Sequence, residues 1–121
     1  MPDMDTALKE AMQIDGAIGV AVVDYTSGMA LGTLGSSKEL DLTVAAAGNT
    51  DVVRAKMRTL DLLKLKDEIE DILITLGRQY HLMRPLSSND SMFIYLALDR
   101  SRANLALARH YLASAEKELV V

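Results

Sequence analysis

Few side chains in this sequence have both the type and the spacing that catalysis or metal binding requires. The chain has two histidines, His81 and His110, and no cysteine. Neither histidine has a second ligand at the spacing of a zinc site, and no thiol is available as a nucleophile. No serine lies in a G-x-S-x-G sequence, the setting of a hydrolase nucleophile. We therefore expect both histidines to be structural, and we predict no catalytic or metal-binding residue.

Three glycines invite comparison with phosphate-binding loops. Gly28, Gly32 and Gly35 lie in the sequence GMALGTLGSSK, which fits neither G-x-x-x-x-G-K-[ST] nor G-x-G-x-x-G. They also fall in a predicted strand rather than between a strand and a helix. We expect Gly32 and Gly35 to mark bulges or a close backbone approach in an edge strand. The sequence therefore predicts no cofactor site, and the protein is not expected to be an enzyme.

Composition restricts the class of protein. Half of the 121 residues are apolar and a quarter are charged, which predicts one globular domain over residues 1–121. A net charge of −4 argues against nucleic acid as a partner, since nucleic-acid-binding domains usually carry a basic face. No apolar run approaches the ~20 residues of a membrane span, so no membrane insertion is expected. No signal peptide is recognisable at the N-terminus, and the predicted location is cytoplasmic.

Hydrophobic periodicity predicts three helices and five strands. The predicted elements are a helix over residues 2–12 capped by Asp3, strands over 17–24 and 29–34, a helix over 37–63, strands over 72–76, 79–86 and 91–98, and a last helix that begins at Asp99. The strand over 17–24 is apolar on both faces and should be central. The order α-β-β-α-β-β-β-α predicts an α+β fold in which a five-stranded antiparallel sheet has helices on both faces.

The long helix over residues 37–63 has two unusual features. Residues 45–48 are Ala-Ala-Ala-Gly, a patch with almost no side chain that another backbone can approach closely. That backbone belongs either to the protein's own sheet or to the same helix of a second copy. Asn49 lies on the apolar stripe, where burial without a polar partner is costly. Ser36 and Glu39 form a predicted capping box at the start of the helix.

Both later helices have a predicted core side. In the long helix, Leu40, Val44 and Ala47 are expected to widen that side at the N-terminal end. In the last helix, the spacing of Leu105, Ala108, Leu112, Ala115 and Leu119 predicts a buried stripe. The charged residues of the last helix, Glu116 among them, are expected to form a solvated face.

These elements resemble the Roadblock family, the small dynein-light-chain and GTPase-regulator domains of profilin-like fold. The hairpin IDGAIGVAVVDYTSGMAL carries the family's G-x-x-G-x-x-V-x-D strand and glycine-bearing turn, matched by Gly16, Gly19, Val22, Asp24 and Gly28. Near the C-terminus the family's N-L-x-x-x-R sequence is matched by Asn104, Leu105 and Arg109. The resemblance covers nearly the whole chain. A glycine-rich second strand and residues 99–103 before the Asn-Leu pair depart from the family pattern.

The resemblance implies a homodimer in which the long helices lie face to face across a two-fold axis and the sheet edges meet. The helix contact implied is Ala45, Gly48, Asn49, Val52, Val53 and Lys56, and the edge contact is Ile72, Ile74 and Leu76. The implied function is a non-enzymatic, homodimeric regulator or scaffold for a small Ras-like GTPase, which includes stimulation of GTP hydrolysis.

A small-ligand sensor domain is the alternative function. The sequence has seven methionines but only four tyrosines and one phenylalanine, which favours an adaptable core. Such a sensor needs a cavity between the sheet and the long helix, with polar groups that converge on it. Tyr95, Asn49 and Arg84 are the candidates for those groups.

Overall fold

The computed structural model describes residues 3–35 and 40–119 of the chain. Its elements are α1 (Met4–Met12), β1 (Ala17–Asp24), β2 (Met29–Gly35), α2 (Leu42–Leu62), β3 (Ile72–Thr75), β4 (Gln79–Pro85), β5 (Met92–Asp99) and α3 (Leu105–Glu118). Their order is the predicted one. In the described part of the chain, no helix is both long and apolar enough to cross a membrane.

The five strands form one antiparallel sheet in the order β2-β1-β5-β4-β3. β1 pairs with both β2 and β5, which confirms that it is a central strand. β2 and β3 are the two edges of the sheet. Every residue of β3 pairs with β4, from Ile72 opposite Met83 to Thr75 opposite Tyr80.

The glycines of β2 serve the fold, as predicted for an edge strand. A register shift lies opposite Val22 and Val23, which is the mark of a bulge. A Cβ on Gly32 would collide with the Met4 side chain of α1. Gly35 has a φ of +74°, and a Cβ there would lie 2.6 Å from the Ile18 carbonyl oxygen. A larger residue at Gly35 would clash with the backbone of β1, whereas one at Gly32 would require the flexible Met4 side chain to move.

Two predicted helix starts differ from the observed ones. The capping box of Ser36 and Glu39 lies outside the described residues, and the N-cap of α2 is Asp41, which accepts hydrogen bonds from the Thr43 and Val44 amides at 2.9 and 3.2 Å. The last helix does not begin at Asp99. That carboxylate instead accepts hydrogen bonds from Ser101 in a turn, and Asn104 caps α3 by accepting from the Leu107 amide at 3.1 Å. The predicted Asp3 cap of α1 is confirmed.

The first face of the sheet is covered by two helices, α1 and α3, which also contact each other. Leu8 and Ala11 of α1, Leu112 of α3, and Leu82, Leu96 and Leu98 of the sheet form one buried apolar cluster there. The predicted stripe of α3 faces this cluster. We refer to this side as the closed face.

The prediction that Glu116 lies in a solvated face is wrong. Its side chain is fully buried at the end of α3, where the carboxylate accepts hydrogen bonds from Arg84 Nε at 3.1 Å and from the amide and hydroxyl of Ser87. A charged partner and hydrogen-bond donors offset the cost of removing the carboxylate from water. Glu116 therefore ties α3 to β4 and the turn that follows it.

The second face is covered by α2 alone. Ala46 and Val53 of α2 pack with Val23, Phe93 and Tyr95 of the sheet in a second buried cluster. α2 lies mainly over β1 and β2. The expectation that Val44 and Ala47 widen its buried side is wrong, since both are exposed, whereas Leu40 is buried. We refer to this side as the open face.

Candidate functional site

The side chains that could take part in catalysis or metal binding lie apart from one another. His81 is half-buried in β4, and His110 is exposed on α3, where its ring packs edge-on against Tyr111 with centroids 5.5 Å apart. Within residues 3–35 and 40–119, no three histidine, aspartate or glutamate side chains are grouped so that they could hold a metal ion. The described residues also leave apolar side chains exposed on α2 and beside the edge strand β3.

The outward side of α2 carries small and apolar residues along its length. A Cβ built on Gly48 would meet no atom within 4 Å. Val44 and Leu62, near the two ends of the helix, are 67% and 77% exposed, and Ala55 between them is also exposed. Because these residues are four or seven positions apart, they lie on one line along the helix. Of the small residues, only Ala46 is fully buried against the protein's own sheet.

The predicted contact residues of α2 differ in how far they are exposed to solvent. Gly48 and Lys56 are exposed, and Ala45, Asn49 and Val52 are half-buried. Val53 is different, because its side chain is 0% exposed and belongs to the core of the open face. Val53 therefore has no surface to offer a second chain, and its assignment to a contact is wrong. Val53 follows Val52 directly, and one residue of an α-helix turns by about 100°, which is enough to move a side chain from the surface to the core.

The edge strand β3 exposes the other predicted contact. Its outer side has no neighbour in the sheet, so half of its backbone donors and acceptors are unpaired within the sheet. Ile72 and Ile74 face α2 and are half-buried, while Leu73 on the opposite face is 38% exposed. The strand ends at Thr75, so Leu76 lies in the turn, where its amide donates to the Gln79 carbonyl at 2.8 Å. Leu76 is therefore beside the strand edge rather than on it.

A groove of about 750 Å³ joins α2 to the beginning of β3. Val52, Lys56 and Leu60 of α2 form one wall, and Ile69 and Ile72 lie on the other. The fold thus brings two predicted contact residues of α2 and one of β3 to the same concave surface. Four acidic residues also line the groove, namely Asp67, Glu68, Glu70 and Asp71.

An ion pair holds the second wall of this groove in place. Arg109 of α3 donates two hydrogen bonds to Asp71, from Nε at 2.8 Å and from an amino nitrogen at 3.1 Å. The bidentate geometry fixes the connector just before β3 against the closed-face helix. The shape of the groove therefore depends on α3 as well as on α2.

A chain of polar side chains crosses the open face beside the groove. The Tyr95 hydroxyl lies 3.2 Å from His81 Nδ1, and Gln79 Oε1 lies 2.7 Å from His81 Nε2. Burial raises the pKa of Tyr95 to about 12, and the nearby Asn49 side chain offsets part of that effect. Burial also lowers the pKa of His81. The Asn49 side chain therefore lies near the Tyr95 hydroxyl of the same chain.

The groups predicted for a ligand sensor do not converge. Tyr95 and Asn49 meet on the open face, but Arg84 lies on the closed face and pairs with Glu116. The space between α2 and the centre of the sheet is occupied by the buried side chains of Val53, Phe93 and Tyr95. The assignment of Arg84 to a ligand site on the open face is therefore wrong. Successive residues of a strand point to opposite faces of the sheet, and Arg84 points to the closed face.

Sequence reasoning missed part of the surface. Val44, Ala55 and Leu62 extend the line through Gly48, and their four- and seven-residue spacing was visible in the sequence. The apolar pattern predicts Val44 on the buried side and does not single out Ala55 or Leu62, because apolar periodicity does not show which of two apolar sides of a helix meets the sheet. A second groove, between α1 and α3, was not predicted at all.

Comparison with known proteins identifies the fold. No protein-family model matches the chain, and no curated protein sequence matches it. Among solved structures, the Roadblock/LC7 domain from Streptomyces avermitilis has a TM-score of 0.80 at 10% identity, over 96% of this chain and 93% of that one. Myxococcus xanthus MglB has a TM-score of 0.75 at 20% identity, over 93% and 77%.

Two further structures agree. The gliding protein MglB from Thermus thermophilus has a TM-score of 0.69 at 18% identity, over 93% of this chain and 87% of that one. Another MglB structure, described as having a tetrameric arrangement, has a TM-score of 0.68 at 16% identity, over 93% and 86%. The chain therefore has the Roadblock fold that its sequence resembles.

Proposed function

We propose that this chain is a non-enzymatic, homodimeric regulator or scaffold for a small Ras-like GTPase. The proposal rests on the Roadblock fold and on one feature of the open face. That feature is the exposed line of small and apolar residues along α2, which borders a groove shared with the edge strand β3. A surface of this kind on a folded chain is typical of a protein contact.

In the proposed dimer, the two-fold axis lies beside α2 and β3. Two α2 helices approach closely at Gly48, where the absence of a side chain allows a short distance between helix axes. Ile72 to Thr75 pairs with the same strand of the second copy, so that two sheets become continuous and two exposed edges disappear. Val52 and Lys56 then lie at the boundary between the helix contact and the strand contact.

The assignment of a GTPase partner follows from the family that the sequence resembles. A dimer presents two copies of every outer surface, and its joined α2 helices form a broad platform that one chain lacks. The GTPase is expected to bind the dimer. A regulator changes the rate of GTP hydrolysis in that complex, whereas a scaffold leaves the rate unchanged.

The test is to mix the purified chain with a small Ras-like GTPase encoded in the same genome. Size-exclusion chromatography should show a complex, and phosphate release should report whether GTP turnover changes. The matched variants are Val52→Glu, which places a charge in the proposed contact, and Thr43→Glu, which places the same charge on an exposed position of α2 outside it. Val52→Glu should abolish the complex while Thr43→Glu retains it.

Two results would contradict the proposal. One is the absence of a complex together with unchanged GTP turnover for every Ras-like GTPase of that genome. The other is a complex that survives Val52→Glu in a chain that is then monomeric, because the dimer would not be the form that binds.

A further inference from the structure

The closed face carries a second concave surface, formed between the end of α1 and the outer side of α3. This groove has a volume of about 520 Å³. Its floor is apolar and includes Ile14, Ala108 and Ala115, which are buried. Leu107 and Tyr111 form its outer wall and are 47% and 51% exposed. It lies across the sheet from α2 and shares no lining residue with the groove of the open face.

α3 therefore has two apolar stripes. Ala108 and Leu112 belong to the closed-face core, and Ala108 is also part of the groove floor, whereas Leu107 and Tyr111, four residues apart, lie on the outer side of the groove. Ser114, three residues after Tyr111, and Glu118, four residues after Ser114, continue this side of the helix with polar side chains, so it extends over about three turns. This side of α3 lies beside α1, and a third helix could pack along both, with its side chains between the ridges of the two.

The charge of the groove limits what can occupy it. Glu10, Asp15 and Glu118 line it and are exposed, and no lysine or arginine is among its lining residues. Asp15 lies near the start of α3, because the next residue, Gly16, lies close to Ala103. Glu118 is the last residue of α3. Neither ion pair between described residues involves these three carboxylates. The groove is thus an apolar floor with a negative rim along its length.

We infer that the α1/α3 groove binds a basic amphipathic helix of a partner protein. Its apolar side chains, three or four residues apart, cover Leu107 and Tyr111, and its lysines or arginines lie over Glu10, Asp15 and Glu118. Tyrosine suits this position because it offers a large apolar ring and a hydroxyl that stays hydrogen-bonded. Charge complementarity orients the helix and favours this partner over others.

The same charge argues against the other occupants. An anionic lipid surface or a nucleic acid would bring phosphates against three carboxylates. A second copy of the chain, related by a two-fold axis through the groove, would place six carboxylates together. A cationic helix is the occupant that neutralises the rim and covers the floor.

The test uses a labelled helical peptide of about 18 residues, with leucine at helical spacing and lysine at the other positions, long enough to form a helix by itself. Fluorescence anisotropy should show binding to the full chain. Leu107→Ser with Tyr111→Ala should weaken it about tenfold or more, the effect of removing central apolar contacts. Both positions are exposed, so the variants should keep the circular dichroism spectrum of the parent chain.

Matched charge variants separate this groove from a general attraction of a basic peptide to an acidic protein. Replacing Glu10, Asp15 and Glu118 by Gln, Asn and Gln should weaken binding. The control replaces Asp67, Glu68 and Glu70 of the open-face groove by Asn, Gln and Gln, which changes the net charge by the same amount and should leave binding unchanged. Val52→Glu should also leave it unchanged, because this inference does not depend on the proposed dimer.

Three outcomes would overturn the inference. The peptide fails to bind, or both sets of charge variants weaken it equally, or a version with its leucines replaced by glutamine binds as well as the original. The last two outcomes would mean that attraction between net charges accounts for the binding.

Discussion

The two faces of the sheet differ in how completely they are covered. Five strands about 4.8 Å apart span roughly 20 Å, whereas a helix is about 10 Å wide. On the closed face α1 and α3 together match that width, and they are joined to the sheet by buried leucines and by Glu116. On the open face α2 is alone over β1 and β2, and β3 borders a groove. The closed face is thus covered by two helices that contact each other, whereas the single helix of the open face leaves an outward apolar side and a groove beside the edge strand.

The largest expected effect lies on the closed face, at the buried Glu116 of α3. Glu116→Ala leaves the half-buried Arg84 guanidinium and the Ser87 donors without their acceptor, and should lower the free energy of unfolding by about 4 kcal/mol. Chemical denaturation at a fixed protein concentration measures this change. Glu68→Ala, at an exposed position of the connector, is the control and should change it by less than about 0.5 kcal/mol. Equal effects would mean that Glu116 does not anchor α3.

A pair of leucines compares the two faces directly. Leu112→Ala on α3 removes a side chain that is 1% exposed, and should cost about 3 kcal/mol of unfolding free energy. Leu62→Ala on α2 removes one that is 77% exposed, and should cost less than about 0.5 kcal/mol in dilute, monomeric protein. Thermal and urea unfolding of both variants measure the difference. If Leu62→Ala lowers the unfolding free energy of the monomer as much as Leu112→Ala does, the Leu62 side chain is not exposed on the outer side of α2.

The smallest expected effect is a pH dependence of the open face. Burial lowers the pKa of His81 in the folded chain below its ordinary value of 6.5, so the unfolded chain binds more protons near that pH. The free energy of unfolding should therefore fall as the pH drops below about 6.5, and level off below the folded pKa. His81→Gln should remove this slope. His110→Gln, at the exposed histidine of α3, should keep it, and loss of the slope in both variants or in neither would contradict the assignment.

Much of the fold was predictable because its signals are local. Short apolar runs bounded by turn residues predicted the five strands, and the strand at Ala17–Asp24, apolar on both faces, was recognisable as an interior strand of the sheet. Asp3 was recognisable as a cap. Asp99 was mistaken for one because Asp and Asn have the same preference for a turn and for a helix start, and only the path of residues 99–104 decides between them.

The candidate site was predictable only in part, since it depends on which elements meet. Of the predicted contact residues, Gly48 is exposed and Val52 lines the open-face groove, but Val53 faces the core. The sequence pattern predicts an exposed charge at Glu116, and only the tertiary structure shows that Arg84 and Ser87 lie beside it. The α1/α3 groove joins residues more than a hundred positions apart, such as Glu10 and Tyr111, and no periodicity within one helix indicates that they are neighbours.

The most direct test of the open face as an interface between two copies is the molar mass in solution. Light scattering at about 10 μM should give twice the 13.2 kDa of one chain for the parent protein and for Thr43→Glu. Gly48→Leu and Val52→Glu should both give 13.2 kDa, with unchanged circular dichroism. A parent chain of 13.2 kDa at that concentration, or a doubled mass that neither substitution alters, would contradict this account of the open face.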